Sequence, residues 1–452
     1  MTKKSDVSIL YVISLTQFAM PFMFSGVGVT LPVMGVELQA SAVLLGLVET
    51  IYLGASTAFV LPVGRLADMS DKNSIFKWGL LGFTVITLLL GFVNSIALFL
   101  VLRGLQGASA ALVISTNMAI IAEEVSPENK GRALGFSIGA VYAGLAAGPF
   151  IGGLITGYLG WRWVYYIGFI PLIIAYIAFA KTMITSWKSP QAKFDWVGSV
   201  IIMIGLTLII AGSALLNEGA IGYALTFAGV IFCYLFIKFE ERTDAPLVNI
   251  KEIKQNNVFS IALLLQLLVY TCAFAMTFLF TLYLQVIKGI SPQMTGLILI
   301  TAPVVMAVFA PIFGRLSDKK SPKMIAAAGV LLTSLSVFTC ILITMSSPVW
   351  LLFIVLVLSG LGFAMFSSPN MLIIMNSVNR DLYSVASSLA AGLRTLGMVL
   401  SMVIVTVVIS IKMGDMAVTV ETKERYIEVM QLSFIIFSVL SVIGLRLSFK
   451  SR

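Results

Sequence analysis

Histidine is absent from this chain of 452 residues, and only 11% of its residues are charged. Without imidazole, any proton carrier must be a carboxylate or some less usual group. Cysteine is scarce: Cys233, Cys272 and Cys340 stand singly in apolar runs, without disulfide or metal-ligand spacing, and read as packing residues. No G-x-x-x-x-G-K-[ST] phosphate loop occurs, so direct use of ATP is not expected and an ion gradient is the remaining common energy source. No metal or other cofactor is implied.

What the chain has in abundance is apolar sequence, 59% hydrophobic with a mean hydropathy of +1.04. Apolar runs of 20 or more residues recur from end to end, each long enough to cross a bilayer core of about 30 Å as a helix. The first, from about Ser8 to Val33, is too long for a signal peptide and lacks a small-residue cleavage site, so it reads as a retained span. Fourteen spans are predicted, the last from about Ile427 to Leu445. The fold class expected is an all-α polytopic membrane protein.

Charge sets the expected orientation. Alternate loops and both termini carry 22 Lys and Arg, whereas the opposite face carries five, Arg162, Lys288, Lys412, Lys423 and Arg425. The positive-inside rule places both termini in the cytoplasm. The net charge of +9 is then mostly topology, and nucleic-acid binding explains it poorly.

A charged pentapeptide occurs twice, "GRLAD" at Gly64 to Asp68 and "GRLSD" at Gly314 to Asp318, 250 positions apart. A glycine follows 15 residues downstream in each copy, Gly79 and Gly329. Each copy ends the second span of a set of six, so two similar halves are expected, residues 1–183 and 258–452, with two inserted spans and their links in 184–257. Secondary transporters are commonly built from such halves, with substrate held between them. Within each copy the glycine is expected to let helices approach closely, and the Asp to pair with a helix N-terminus or a loop arginine such as Arg132. Gly64, Asp68, Gly314, Asp318 and Arg132 are therefore candidates for gating.

These loops resemble the signature of the major facilitator superfamily, and within it the fourteen-span drug:proton antiporter branch. "GRLADMSDKN" departs from it at Met69, where a basic residue is usual, and Asp71 and Ser321 replace a customary glycine. The fourth span, "LRGLQGASAAL", resembles the family's R-G-x-x-G signature; Arg103 lies within it, while the equivalent later span carries Ser359. An embedded arginine costs about 2.5 to 3.5 kcal/mol, so it needs a partner or a wet cavity. The resemblance implies proton coupling for Arg103; structural anchoring is the alternative. The fifth span, "GFSIGAVYAGLAAGPFIGG", matches the family's antiporter motif at Gly135, Gly144, Gly148, Pro149, Gly152 and Gly153. "GWRWVYYI" and "LRTLG" are also similar to that branch, the latter placing Arg394 about halfway across. The implied fold is 6+2+6 helices.

Where the drug antiporters usually carry an acid in the first span, this chain has Met23. The carboxylate left well inside a span is Glu49, eight residues into the second, about 12 Å deep at 1.5 Å per residue. Glu49 is expected to be the protonatable group, near Arg103 or Arg394. A dry site favours a neutral carboxyl and a nearby guanidinium favours a charged one, so a change of pairing would move a proton. A static ion pair is the alternative. Candidate pocket residues are Gln17, Phe24, Tyr142, Gln266, Tyr270, Phe274, Met276 and Asn370, whose aromatic, amide and thioether groups suit amphipathic ligands.

The expectation is proton-driven export of amphipathic small molecules. Proton-coupled uptake or export of a specific metabolite is the second class, and a transporter-like sensor without flux the third. An enzyme is not expected. The partners expected are a small-molecule substrate, protons and the lipid bilayer, and the chain is expected to be monomeric.

Overall fold

The computed structural model describes residues 3–124, 130–181, 194–243, 246–248, 255–378 and 383–450, apart from the side chains of 3–8, 68, 118–119, 122–124, 130–136, 138, 318, 383–385, 387–388 and 450. Fourteen helices in it are long and apolar enough to cross a membrane. In hydrocarbon each backbone N–H and C=O must be satisfied within the chain, and a helix does this locally.

The first six are α1 (Lys3–Glu37), α2 (Ala42–Met69), α3 (Lys72–Leu90), α4 (Ile96–Glu124), α5 (Lys130–Leu159) and α6 (Arg162–Lys181). Then come α7 (Trp196–Ala214) and α8 (Ala220–Glu240). α9 runs as Asn257–Ala273, Met276–Leu282 and a π-turn at Tyr283–Ile287; α10 has the pieces Pro292–Leu299 and Thr301–Lys319. α11 (Pro322–Ile341), α12 (Val349–Asn376), α13 (Tyr383–Met413) and α14 (Lys423–Lys450) complete the bundle. An even number of crossings puts both chain ends on one face, the terminal face; the other is the distal face.

Helix starts follow ordinary capping chemistry. Ser41, Asp71, Asp195, Asn256 and Ser291 each accept a hydrogen bond from a backbone N–H of the first turn. Asp71, a departure from the family's loop signature, thus acquires a local job: its carboxylate accepts from Asn73 N at 3.0 Å and from Ser74 Oγ at 2.5 Å. At the distal turn after α5, Gly160 has φ of 95°, a conformation glycine adopts without strain.

Both pentapeptides are helical. α2 continues to Met69 and the second piece of α10 to Lys319, so the charged motifs form the last turns of these helices. Among the described residues a methyl on Gly64 would meet nothing within 4 Å, and one on Gly314 would meet only Ser368, at 3.7 Å. The downstream pair behaves otherwise. Gly79 on α3 faces Ser109 O on α4 at 3.1 Å from a virtual β-carbon, and Gly329 on α11 faces Gly362 O on α12 at 2.7 Å. The sequence repeat therefore returns as a repeated helix contact.

α1 packs along α5 and α6, and α2 along α4; later, α9 packs on α13 and α14, and α11 on α12 and α14. The first and last six helices meet through α5 with α10, α2 with α13, and α1 with α9. α7 and α8 pack on each other, with α7 against α2 and α13. Side chains such as Tyr223, Phe227, Val230 and Tyr234 on α8 are exposed, as a lipid-facing helix requires.

Candidate functional site

Mid-bundle, side chains from both sets of helices converge. Arg103 on α4 is 1% exposed. Its Nε donates to Val48 O at 3.0 Å and its Nη1 to Gln106 Oε1 at 2.7 Å. Gln106 Nε2 in turn donates to Thr87 Oγ1 at 2.8 Å, tying α4 to α3. The guanidinium carbon lies 4.4 Å from the centre of the Tyr52 ring, a cation–π contact.

Tyr52 begins a ladder of rings. Phe24 of α1 stacks on it with centroids 5.3 Å apart, and Phe274 of α9 stacks on Phe24 at 5.8 Å. The ladder thus crosses between the first and last six helices. At Phe274 the helix of α9 is interrupted, and the N–H of Ala275 is met by Ser401 Oγ of α13 at 3.0 Å. A broken helix within the bundle is tolerated because a neighbouring side chain takes the freed donor.

Glu49 is 5% exposed, its carboxylate turned toward Gly28 of α1, where a β-carbon would stand 2.9 Å from Oε1. The charge of Arg103 reaches it, but among the described residues no hydrogen bond or salt bridge does. Arg103 Nη2 is likewise buried without a partner. The carboxyl and the guanidinium are neighbours here without a hydrogen bond between them. Met23, in the place where the resembling family usually carries a first-span acid, packs against Gly168 of α6.

A second polar group lies among the later helices. The Tyr270 hydroxyl lies beside the half-buried Arg394 guanidinium, with Tyr142 of α5 close by. Asn370 Nδ2 donates to Gln266 Oε1 at 3.0 Å and Ala262 O at 3.1 Å, while Asn370 Oδ1 is buried without a donor. Gln17 sits apart, its Nε2 reaching Ser137 Oγ at 3.5 Å, and Met276 is packed in the core.

The motif glycines of α5 face two ways. A β-carbon on Gly148 would stand 2.8 Å from Gly26 N and from Phe22 O, and one on Gly152 2.9 Å from Gly26 O, so this stripe fits α1. Gly153 instead faces Pro292 O of α10 at 2.5 Å, and Gly296 of α10 faces Pro149 O, so α5 also touches the later helices. Gly144 meets the Phe18 carbonyl. The side chains of Asp68, Asp318 and Arg132, and the surroundings of Gly135, lie outside the described residues.

Sequence reasoning missed Tyr52, Gln106 and Ser401. Tyr52 had a signal, standing three residues after Glu49 and so on the same helix face. Gln106 stands in the same relation to Arg103; Ser401 has no local signal, since its role depends on a break in another helix.

Known proteins resemble the chain along most of its length. The riboflavin transporter RibZ of Clostridioides difficile is 30% identical over 363 residues, 78% of this chain and 77% of that protein. The tetracenomycin C resistance and export protein of Streptomyces glaucescens is 26% identical over 403 residues, 86% of this chain and 73% of that one. Among solved structures, a peptide transporter POT in complex with alafosfalin superposes with a TM-score of 0.72 at 15% identity, covering 98% of this chain and 94% of the other, a likeness of fold. The model of the Major Facilitator Superfamily matches residues 13–402. By this match, the chain belongs to the major facilitator superfamily of transporters.

Proposed function

We propose that this chain is a proton-coupled secondary transporter that exports amphipathic small molecules from the cytoplasm by alternating access, with Glu49 as the group that takes up and releases the proton. The observation that carries the reading is the unpaired state of Glu49 beside the free Nη2 of Arg103, next to a ring ladder that spans both sets of helices. A static ion pair calls for contact, because a buried charge left unpaired is costly. A site whose pairing alternates has a reason to be caught apart. In this reading residues 1–183 and 258–452 are the moving bundles, 184–257 carries the inserted helices, and the terminal face is cytoplasmic in the cell membrane. Gly64, Asp68, Gly314, Asp318 and Arg132 act at the gate, Arg394 is a second charge in the pathway, and the working unit is a monomer.

The test is accumulation of a compound panel in inverted vesicles under an imposed pH gradient, with Arg103→Ala as the dead control. Glu49→Gln is expected to express normally and to lose gradient-driven transport while retaining downhill exchange. Undiminished gradient-driven transport by Glu49→Gln would remove the coupling role. One further reading has a specific support: stacked rings at the centre suit a flat heteroaromatic solute, and RibZ is a riboflavin transporter. Riboflavin therefore belongs in the panel, and transport of it alone would favour a single metabolite over varied amphipathic compounds.

A further inference from the structure

The inserted helices hold a pair of acids that the central site does not use. Asp195 caps α7, its Oδ1 accepting from Gly198 N at 2.8 Å. Glu240 is the last residue of α8, and its Oε2 accepts from Val248 N at 2.8 Å, fastening the segment that leads on toward α9. The two residues are 6% and 2% exposed. Their remaining oxygens, Asp195 Oδ2 and Glu240 Oε1, are both buried with no donor in reach among the described residues. These two oxygens converge within hydrogen-bonding reach of each other, over Gly198, where a methyl would run into both.

We propose that Asp195 and Glu240 hold one proton between them, and that this proton clasps both ends of the α7–α8 hairpin, together with the segment at Val248, at the terminal face. Two carboxylate oxygens in contact and out of water cannot both be ionised, because the repulsion is unscreened. A single proton on Glu240 Oε1, donated to Asp195 Oδ2, satisfies both orphaned atoms at once. The helix dipoles decide which residue carries it. Asp195 stands at a helix N-terminus, where a negative charge is favoured, and Glu240 at a C-terminus, where it is not.

Among the described residues the surroundings offer no substitute for the proton. Phe236, Val248, Phe259, Ile374 and Leu389 form an apolar cluster around this end. α7, α9 and α12 contribute no other charged side chain. On α8, Lys238 pairs with Glu241, and Arg242 beyond it is exposed. α2 brings Arg65, whose Nε is buried without a partner among the described residues, and Asp68, whose side chain lies outside them. α13 brings Arg394, which lies beside Tyr270, and Lys412, which pairs with Glu428. Among the described residues no cation makes a salt bridge with Asp195 or Glu240. The clasp holds while the proton is bound and is lost as pH rises through the pair's titration.

The test uses the full-length purified protein, by infrared spectroscopy and by thermal melting across a pH series. The wild type is expected to show a carboxylic-acid C=O band that disappears in Glu240→Gln and in Asp195→Asn, since an amide supplies the hydrogen bond without a proton. Its melting temperature is expected to fall as the pH rises through loss of that band, while Glu240→Gln, which keeps the contact, stays level. Either isosteric variant suffices if the other fails to fold. A band unchanged in both variants, or parallel melting profiles for wild type and variant, overturns the proposal. So does the absence of an acid band together with loss of stability on removal of metal ions, which would assign the gap to a bound cation.

Discussion

Arg103 is gripped from three directions: by a carbonyl of α2, by the amide of Gln106 and by the face of Tyr52. The grip fixes where its remaining N–H points, and so whether Glu49 finds it. Gln106→Leu strips Arg103 Nη1 and Thr87 of a shared partner in a buried setting, and is expected to cost about 1–3 kcal/mol, read as a lower melting temperature in detergent. At Tyr52 the ring is what the cation and Phe24 both use, and the hydroxyl is dispensable to either contact. Tyr52→Phe is therefore expected to transport like wild type. Tyr52→Leu should lose a cation–π contact of about 0.5–2 kcal/mol and most of the gradient-driven rate. Equal rates for the Phe and Leu variants would mean that the ladder does not position Arg103.

Helices make their contacts through backbone as much as through side chains, and here the motif glycines differ sharply. Gly148→Ala would press a methyl onto the backbone of α1, which cannot swing aside, and is expected to cost about 1–3 kcal/mol of stability. Gly64→Ala meets nothing within 4 Å among the described residues and should leave stability unchanged or raise it by about 0.5–1 kcal/mol through helix propensity. If Gly64 serves as a gate, its close neighbour belongs to another conformation, and the variant should melt normally yet transport poorly. Full transport by Gly64→Ala would end that role. The helices themselves were legible, because twenty apolar residues in succession have few other solutions in a membrane. The interruption of α9 was not: "TCAFAMTF" contains neither Gly nor Pro, and the break rests on Ser401 of a helix more than 120 residues later. Embedded charges such as Glu49 and Arg103 stood out in apolar sequence, whereas their separation depends on side-chain directions that helical spacing leaves open.

Across the whole molecule, the described contacts between the first and last six helices include a seam toward the distal face. Gln285 Nε2 donates to Val29 O at 2.8 Å, Ala42 N donates to Met416 O at 3.1 Å, and Gly157 of α5 meets the Gln293 side chain of α10. Nearer the terminal face, Leu61 of α2 lies 3.8 Å from a virtual β-carbon on Gly392 of α13, a looser approach. The proposed alternating access requires the distal seam to open in each cycle. A Gly157→Cys, Gln293→Cys pair tests this, in a background where Cys233, Cys272 and Cys340 have been replaced by serine. Oxidation is expected to abolish transport and reduction to restore it, while either single variant still works. A cross-linked protein that transports at the uncross-linked rate would mean that the solute does not leave through this seam, and the bundles would then have to move about some other line.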